Sequence, residues 1–288
     1  MLKIDKPATT YKEQIKILKR KGMKFSDEVM AEKFLESVQY YRLSGYWLSY
    51  FEKKDQFVEG MTFEKIVDVY MFDKELRNNL LYIIDNIETE VKSKIAYRFV
   101  HSCSTLGYAN PNNFGRADYY AAWLNKFFKN ANNKDKNREL FISWYKENYN
   151  NKFPFWVVVE MCNFNDISKF YKNLKPKIKK GMRTSFLYNY EYIESWLHTT
   201  VLVRNICAHN GRLYNRRLVI TPKLLSEMPR NLNIKRIFTP IVILKYLCSD
   251  KTVWNEFIQR MELTFHKYGE SIELELIGFP VNWQDILK

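Results

Sequence analysis

A long run of residues with apolar side chains at helical spacing constrains the fold of this chain more than any other feature. No proline interrupts the sequence between Pro7 and Pro111, so nothing in that stretch has to break a helix. Thr62 follows the loop glycine Gly60 and stands where an N-cap residue would. We therefore predict one long helix, or two abutting helices, from about residue 62 to about residue 100, as the spine of the fold. The apolar stripe consists of Phe63, Ile66, Val67, Tyr70, Met71, Leu76, Leu80, Ile83, Ile84, Ile87, Val91 and Ile95.

The apolar patterns are helical over most of the remaining chain as well. Only 9 glycines and 8 prolines are present. So few turn-forming residues disfavour an all-β sandwich or barrel, which needs many turns between short strands. We predict an all-α fold and a single domain over residues 1–288, in which 101–151 is a helical insertion or a soft boundary. The apolar run Leu218-Val219-Ile220, within 213–234, could form a small hairpin. Further helices are predicted at 10–21, 26–37, 40–51 (a helix-turn element), 117–128, 137–149, 155–173 (one or two helices), 185–209, 236–248 and 250–267, with loops at 102–114 and 129–137.

The charge balance indicates the class of partner. The chain has 46 lysines and arginines against 32 aspartates and glutamates, which gives a formal net charge of +14. A field of this sign concentrates phosphates, so we expect a polyanionic partner, nucleic acid before membrane. A merely basic soluble protein is the alternative. The four cysteines are widely separated, which is typical of reduced thiols, and the N-terminus has no apolar core of signal-peptide length, so we expect a cytoplasmic protein.

The segment VLVRNICAHNGRLYNR, residues 201–216, carries the residues best suited to chemistry. A helix over 185–209 places Arg204 inside an apolar arc, so we expect its side chain to be partly buried. A guanidinium cannot shed its charge, and its burial therefore requires an anionic partner or a bound phosphate. The other members of the arc are Phe186, Tyr190, Ile193, Leu197, Val201 and Ala208.

A neighbouring stripe on the same predicted helix contains His198, Leu202, Asn205 and His209. Gly211 suits a helix C-cap, which puts His209 in the last turn, where the helix dipole favours its protonated form. Arg204 and His209 would then flank one groove. RNA carries its own nucleophile, the 2′-OH, so a histidine that moves protons and an arginine that stabilises charge on the phosphate can cleave it without a metal.

Three sequence blocks resemble the motifs of one protein family. Arg204 to Arg216 is similar to the R-N-x-x-A-H...R-L-(W/Y)-N-R signature of the AbiD/AbiF-type abortive-infection proteins of bacteria, which belong to the HEPN superfamily. The block R42-L43-S44-G45-Y46-W47 resembles their R-L-S-G-Y motif, and F72-D73-K74-E75-L76-R77 with I87-E88 resembles their F-D-x-x-L-R...I-E helix. The blocks stand in the family order over roughly residues 40–216.

The resemblance implies a HEPN-type helical bundle with additional helices, and a metal-independent endoribonuclease of phage defence that needs no cofactor. It carries over Arg204 and His209 as the catalytic pair, Asn205 as the polar residue after the arginine, and Arg212, Asn215 and Arg216 as motif residues of uncertain role. Many HEPN enzymes are homodimers with a composite site, and some relatives accompany a structured non-coding RNA. Because the chain has a single motif of this kind, dimerisation or a one-motif mechanism would be required.

Several other side chains have a structural interpretation beside a functional one. Glu88 could pair with Arg204 and hold it, or it could be an ordinary surface glutamate. Asp73 and Arg77 fit an i,i+4 helix pair, which we favour as structural. His198 is more often a satisfied, partly buried histidine than a proton carrier. Arg42, Gly45 and Tyr46 brace the core or touch RNA, and we favour bracing; a zinc site among Cys207, His209, Cys103 and His101 fits no familiar ligand spacing.

A lysine-rich segment directly before the proposed catalytic helix is the predicted RNA contact. Its lysines would hold phosphates while Phe170, Tyr171 or Tyr188 could stack on unpaired bases. A solvated charged face with core aromatics is the alternative. The basic residues are Lys169, Lys172, Lys175, Lys177, Lys179, Lys180 and Arg183.

The sequence leaves competing functions open. The leading hypothesis is the endoribonuclease. A catalytically silent RNA-binding protein that holds a structured non-coding RNA is the main alternative, and a protein that neutralises another toxin is a more distant one.

Overall fold

The computed structural model describes residues 7–133 and 139–288, and within these two ranges the chain is built almost entirely of helices. The predicted all-α class is therefore confirmed. The helices of the first part are α1 (Tyr11–Arg20), α2 (Glu28–Ser37), α3 (Tyr40–Trp47), α4 (Phe63–Cys103), α5 (Ala117–Ala131), α6 (Leu140–Tyr149), α7 (Phe155–Met161) and α8 (Phe164–Asn173). Those of the second part are α9 (Pro176–Gly181), α10 (Arg183–Phe186), α11 (Tyr190–Ala208), α12 (Phe238–Leu247), α13 (Lys251–Tyr268), α14 (Leu274–Ile277) and α15 (Trp283–Leu287).

Helix α4 is the spine of the fold. It runs without a break for 41 residues, and the Thr62 hydroxyl caps it by accepting a hydrogen bond of 3.1 Å from the backbone N–H of Lys65. The sequence left one helix or two open, and the structure has one. Helices α3, α7, α11, α12 and α13 all pack against α4, and most of its predicted apolar stripe is buried. Each fully buried leucine or isoleucine there contributes about 1.5–3 kcal/mol.

The short strands lie in a segment for which the sequence pattern predicts no strand. Strands β1 (Phe51–Lys53) and β2 (Gln56–Phe57) form an antiparallel pair, and Asp55 in their turn has a φ of 63°. The hairpin predicted in 213–234 is wrong, because that segment contains no strand. Leu218 is instead buried, and its backbone N–H donates to the Lys235 carbonyl at 2.8 Å, so it anchors an irregular segment.

Helix boundaries differ from expectation where the backbone leaves the helical region. The helix predicted over 185–209 begins only at Tyr190, because Leu187 adopts a left-handed conformation with φ 63° and separates α10 from α11. The predicted element 155–173 is two helices, α7 and α8. Parts of the predicted loop 129–137 and helix 137–149 fall on residues 134–138, outside the described residues.

The helices before and after α11 fix its position in the core. α11 packs against α4 and α8, which precede it, and against α12, which follows it. The expectation of one domain over the whole chain stays a prediction. In the described part of the chain, no helix is long and apolar enough to cross a membrane.

Candidate active site and nucleic-acid interface

The candidate site lies at the C-terminal end of α11. Ile193, Leu197 and Val201 are buried as the apolar arc predicts, and Arg204 is half-buried. Two members of the predicted arc do not lie on the buried face of α11: Phe186 belongs to α10, and Ala208, the last residue of α11, is exposed. Asn205 is half-buried, and its backbone carbonyl accepts the N–H of His209 at 3.0 Å.

The Arg204 guanidinium has no anionic protein partner among residues 7–133 and 139–288: neither an ion pair nor a hydrogen bond is formed there. Glu88, which the sequence offered either as its partner or as an ordinary surface glutamate, pairs with Lys92 one turn further along α4, at 3.0 Å. The i,i+4 spacing puts that lysine on the same helix face as Glu88, which explains the choice. Since a half-buried guanidinium is stabilised by an opposite charge, the arrangement leaves Arg204 able to bind an external anion.

His209 is the C-cap residue of α11, and its side chain is exposed. The helix ends in a Schellman motif: the Gly211 N–H donates to the Ile206 carbonyl at 2.7 Å, and the Asn210 N–H donates to the Cys207 carbonyl at 3.1 Å. Asn210, with φ 53°, occupies the left-handed position that we assigned to Gly211. Gly211 is needed for a different reason, because a Cβ there would lie 3.0 Å from the Ile206 carbonyl oxygen.

A buried carboxylate holds the loop that follows His209. Asp73 of α4 is 0% exposed, and its Oδ1 accepts the backbone N–H groups of Leu213 at 3.0 Å and Tyr214 at 2.8 Å. Arg77 forms an ion pair with the same carboxylate, and the Tyr46 hydroxyl donates to it at 2.7 Å. Asp73 and Arg77 thus form the i,i+4 pair that we favoured, but a fully buried one that positions the loop.

Burial and neighbouring charges shift the pKa values of Tyr46 and Asp73. Burial raises the pKa of Tyr46, and the neighbouring Asp73 raises it further, so the phenol stays protonated and donates. Burial also raises the pKa of Asp73, whereas Arg77 and the hydrogen-bond donors around the carboxylate act in the opposite direction. Two backbone N–H groups, one phenol and one guanidinium together surround an otherwise costly buried charge.

The three sequence blocks therefore meet at one place. The Arg42 guanidinium donates to the Asn210 carbonyl at 2.8 Å, so the first block holds the backbone directly after His209. Arg212 packs over Gly45, where a Cβ would approach its Nε to 3.2 Å, and its Nη1 donates to the Tyr214 carbonyl at 2.6 Å. The first block braces the loop in this way.

The far end of the loop is also fixed. The Tyr214 and Tyr50 hydroxyls are 2.9 Å apart, and the Tyr214 hydroxyl accepts the backbone N–H of Glu273 at 3.1 Å. The Asn215 side-chain oxygen accepts from Arg236 at 2.8 Å. Arg216 is exposed, and its guanidinium lies 3.4 Å from the Arg212 carbonyl.

Only part of the lysine-rich segment predicted to contact RNA is exposed. Lys179 is buried, forms an ion pair with Glu194 and donates to the Lys172 carbonyl at 3.1 Å, so it is removed from the set. The ring of His198 lies beside this basic segment: partial burial lowers its pKa, and Lys172 and Lys169 lower it further. The exposed members are Lys169, Lys172, Lys175, Lys177, Lys180 and Arg183.

The aromatic residues of that segment belong to the core. Phe170 and Tyr171 are each 1% exposed, which contradicts the prediction that they stack on bases. Tyr188 is half-buried and packs edge-on against Trp196 and Tyr246. The helical periodicity of α8 indicates the burial of Phe170 and Tyr171, because both rings lie on the apolar face of that helix.

No group of three or more His, Cys, Asp and Glu side chains within 7–133 and 139–288 is arranged to hold a metal ion.

Sequence comparison identifies the class of protein. The sequence profile of the Abi-like proteins matches residues 33–215, which is more than half of the chain and includes all three blocks except Arg216, the last residue of the third. The chain belongs to the Abi-like protein family, and membership suggests a role in abortive infection, a defence against phage. No curated protein and no solved structure gives a significant match.

Proposed function

We propose that this protein is a metal-independent endoribonuclease of phage defence, of the AbiD/AbiF type and with a HEPN-type bundle, in which Arg204, Asn205 and His209 form the catalytic motif. One observation carries the proposal: a half-buried guanidinium lies in the last turns of a core helix whose C-cap is an exposed histidine, and no carboxylate of residues 7–133 and 139–288 pairs with it. A phosphate would supply the missing negative charge, and an imidazole transfers protons near neutral pH.

The chemical step uses the substrate's own hydroxyl. The 2′-oxygen attacks the adjacent phosphorus and loses its proton to a base, while the bond to the 5′-oxygen breaks and that oxygen gains a proton. The products are a 2′,3′-cyclic phosphate and a 5′-OH. Arg204 would stabilise charge on the five-coordinate phosphate, and His209 would carry one of the two protons. Asn205 would orient the phosphate by a hydrogen bond.

A second copy of the chain would complete the site. One motif provides one histidine, whereas the reaction needs a base and an acid. We propose a homodimer whose two motifs face a common cleft, with one His209 in each role. The exposed lysines before α11 would hold the RNA, either a substrate or a structured non-coding RNA that restrains or guides the activity.

The test is cleavage of labelled RNA in EDTA by wild type, His209→Ala and Arg204→Ala. His266→Ala is the matched control, because His266 is an exposed histidine on α13, away from the motif. We expect wild type and the control to cut, and each motif variant to lose about 10²–10⁴-fold in rate. A single 2′-deoxy substitution should block cleavage at its own position only.

The outcome separates the proposal from its main alternative. Equal cleavage by wild type and His209→Ala would contradict the assigned site. Salt-sensitive RNA binding with no cleavage by either protein would favour a catalytically silent RNA-binding protein. The exposed basic face at Lys169 and Lys172 supports that alternative.

A further inference from the structure

We propose that a second phosphate site lies beside His209, made by four arginines around the loop that follows it, and that it binds a backbone phosphate of the RNA strand. The identity of the ligand as RNA rests on the proposed function, whereas the site itself rests on the arrangement of charges. The four residues are Arg212, Arg216, Arg217 and Arg236.

Short contacts gather these side chains around one loop. Arg212 is bound to the Tyr214 carbonyl, and Arg216 approaches the Arg212 carbonyl at 3.4 Å. Arg236 reaches the loop from a later segment through its hydrogen bond to Asn215. The loop backbone is itself fixed by the buried carboxylate described above. Arg212 and Arg236 are therefore held in place before any ligand arrives, which lowers the entropic cost of binding.

Within residues 7–133 and 139–288, no carboxylate forms an ion pair with any of the four arginines. Of all arginines in residues 7–133 and 139–288, only Arg77, Arg116 and Arg260 form ion pairs, and none of these is in the cluster. Asp73, which is paired with Arg77, partly offsets the charge of Arg212. Glu275 forms no ion pair within those ranges and partly offsets the charge of Arg236. Burial lowers the pKa of Arg236, and Arg217 and Arg212 lower it further, as expected for guanidinium groups close enough to repel each other.

The position favours a phosphate of an RNA strand over a small free anion. Arg212 stands three residues after His209, so their Cα atoms are within about 11 Å of each other, a span that neighbouring nucleotides can bridge. Arg216 and Arg217 are exposed, while Arg212 and Arg236 are half-buried. The charges therefore line an open surface, which suits a chain that continues in both directions.

Binding of an uncleavable probe tests the site independently of catalysis. The probe is a fluorescent 2′-O-methyl oligoribonucleotide, which lacks the attacking hydroxyl, and its Kd is measured by anisotropy with the full-length protein between 50 and 200 mM salt. The variants are Arg216→Gln/Arg217→Gln and Arg236→Gln. A double Arg216→Lys/Arg217→Lys variant keeps the charge, and Arg230→Gln is the matched control, an exposed arginine of the same region.

The expected result is a loss of affinity of about tenfold for the double glutamine variant, with a salt slope reduced by about 1.4, or ~0.7 for each lost phosphate contact. The lysine variant and Arg230→Gln should keep the wild-type slope. An unchanged Kd and slope in a folded double glutamine variant would overturn the site. Pyrophosphate that binds as tightly as the oligonucleotide would overturn its assignment to RNA. Arginine-dependent binding of this probe, together with no cleavage of unmodified RNA by the wild type in EDTA, would contradict the endoribonuclease while supporting this site.

Discussion

Replacing Asp73 with asparagine should destabilise the whole molecule, although the change is nearly isosteric. Asp73 is 0% exposed and its partner Arg77 only 3%, so the substitution leaves a buried guanidinium without a counter-charge. The amide oxygen can still accept the N–H groups of Leu213 and Tyr214 at the Oδ1 position. The amide nitrogen then takes the Oδ2 position and turns a donor toward Arg77 and the Tyr46 hydroxyl, which need an acceptor. Removing one partner of a buried pair costs about 3–5 kcal/mol, a large share of a typical total of about 5–15 kcal/mol.

Urea denaturation followed by circular dichroism measures the effect. With a slope of about 3 kcal/mol per molar, the midpoint should fall by roughly 1–2 M. The variant Asp73→Asn/Arg77→Met should be more stable than Asp73→Asn alone, because it no longer buries an isolated charge. Asp118→Asn is the control: its ion pair with Arg116 is exposed, with side chains 61% and 59% accessible, so the midpoint should not move.

A drop of less than about 1 kcal/mol in Asp73→Asn would refute the argument that this carboxylate supports the loop, since an ordinary hydrogen bond accounts for that much. A double variant less stable than the single one would refute the electrostatic part.

Three further outcomes are expected. The imidazole of His198 should titrate below 6.5 in an NMR pH series, because partial burial, Lys172 and Lys169 lower its pKa; its contribution to the free energy of unfolding is then lost as the pH falls from 6.5 through the folded pKa, and a pKa at or above 6.5 would contradict this placement. Asn210→Ala should lower stability by about 1 kcal/mol in thermal unfolding while Asn210→Gly should not, since the φ of 53° is left-handed; equal melting temperatures would disprove that reason. Tyr214→Phe should cost about 1–3 kcal/mol in urea denaturation, because it leaves a buried tyrosine hydroxyl without its partner, and a neutral result would show that water replaces it.

The sequence allowed the helical class and the spine to be predicted because both follow from local patterns. Thr62 and the apolar stripe after it define α4 without any knowledge of the neighbours. The break at Leu187 could not be found in this way, because a leucine disfavours the left-handed conformation and nothing in the local pattern indicates that it adopts it here.

The candidate site was predictable in its motif residues and not in their contacts. The position of Asp73, seven residues after Ile66 and seven before Leu80, puts it on the buried face of α4, and this was the signal for its structural role. Arg236 offers no such signal, since its bond to Asn215 joins segments 21 residues apart along an irregular path. The burial of Lys179 likewise depends on Glu194 of another helix, a contact that a count of charges cannot reveal.

Some of the contacts that fix Tyr214 and its neighbours come from residues outside the stretch that the family profile matches. The backbone of Glu273 caps the Tyr214 hydroxyl, Arg236 ties down Asn215, and α13 lies along α4, yet all three follow residue 215, where the profile ends. A chain truncated there would keep Arg204 and His209 but lose Arg216 and the contacts that fix Tyr214 and Asn215. We therefore expect the motif-bearing stretch to need the C-terminal quarter in order to fold.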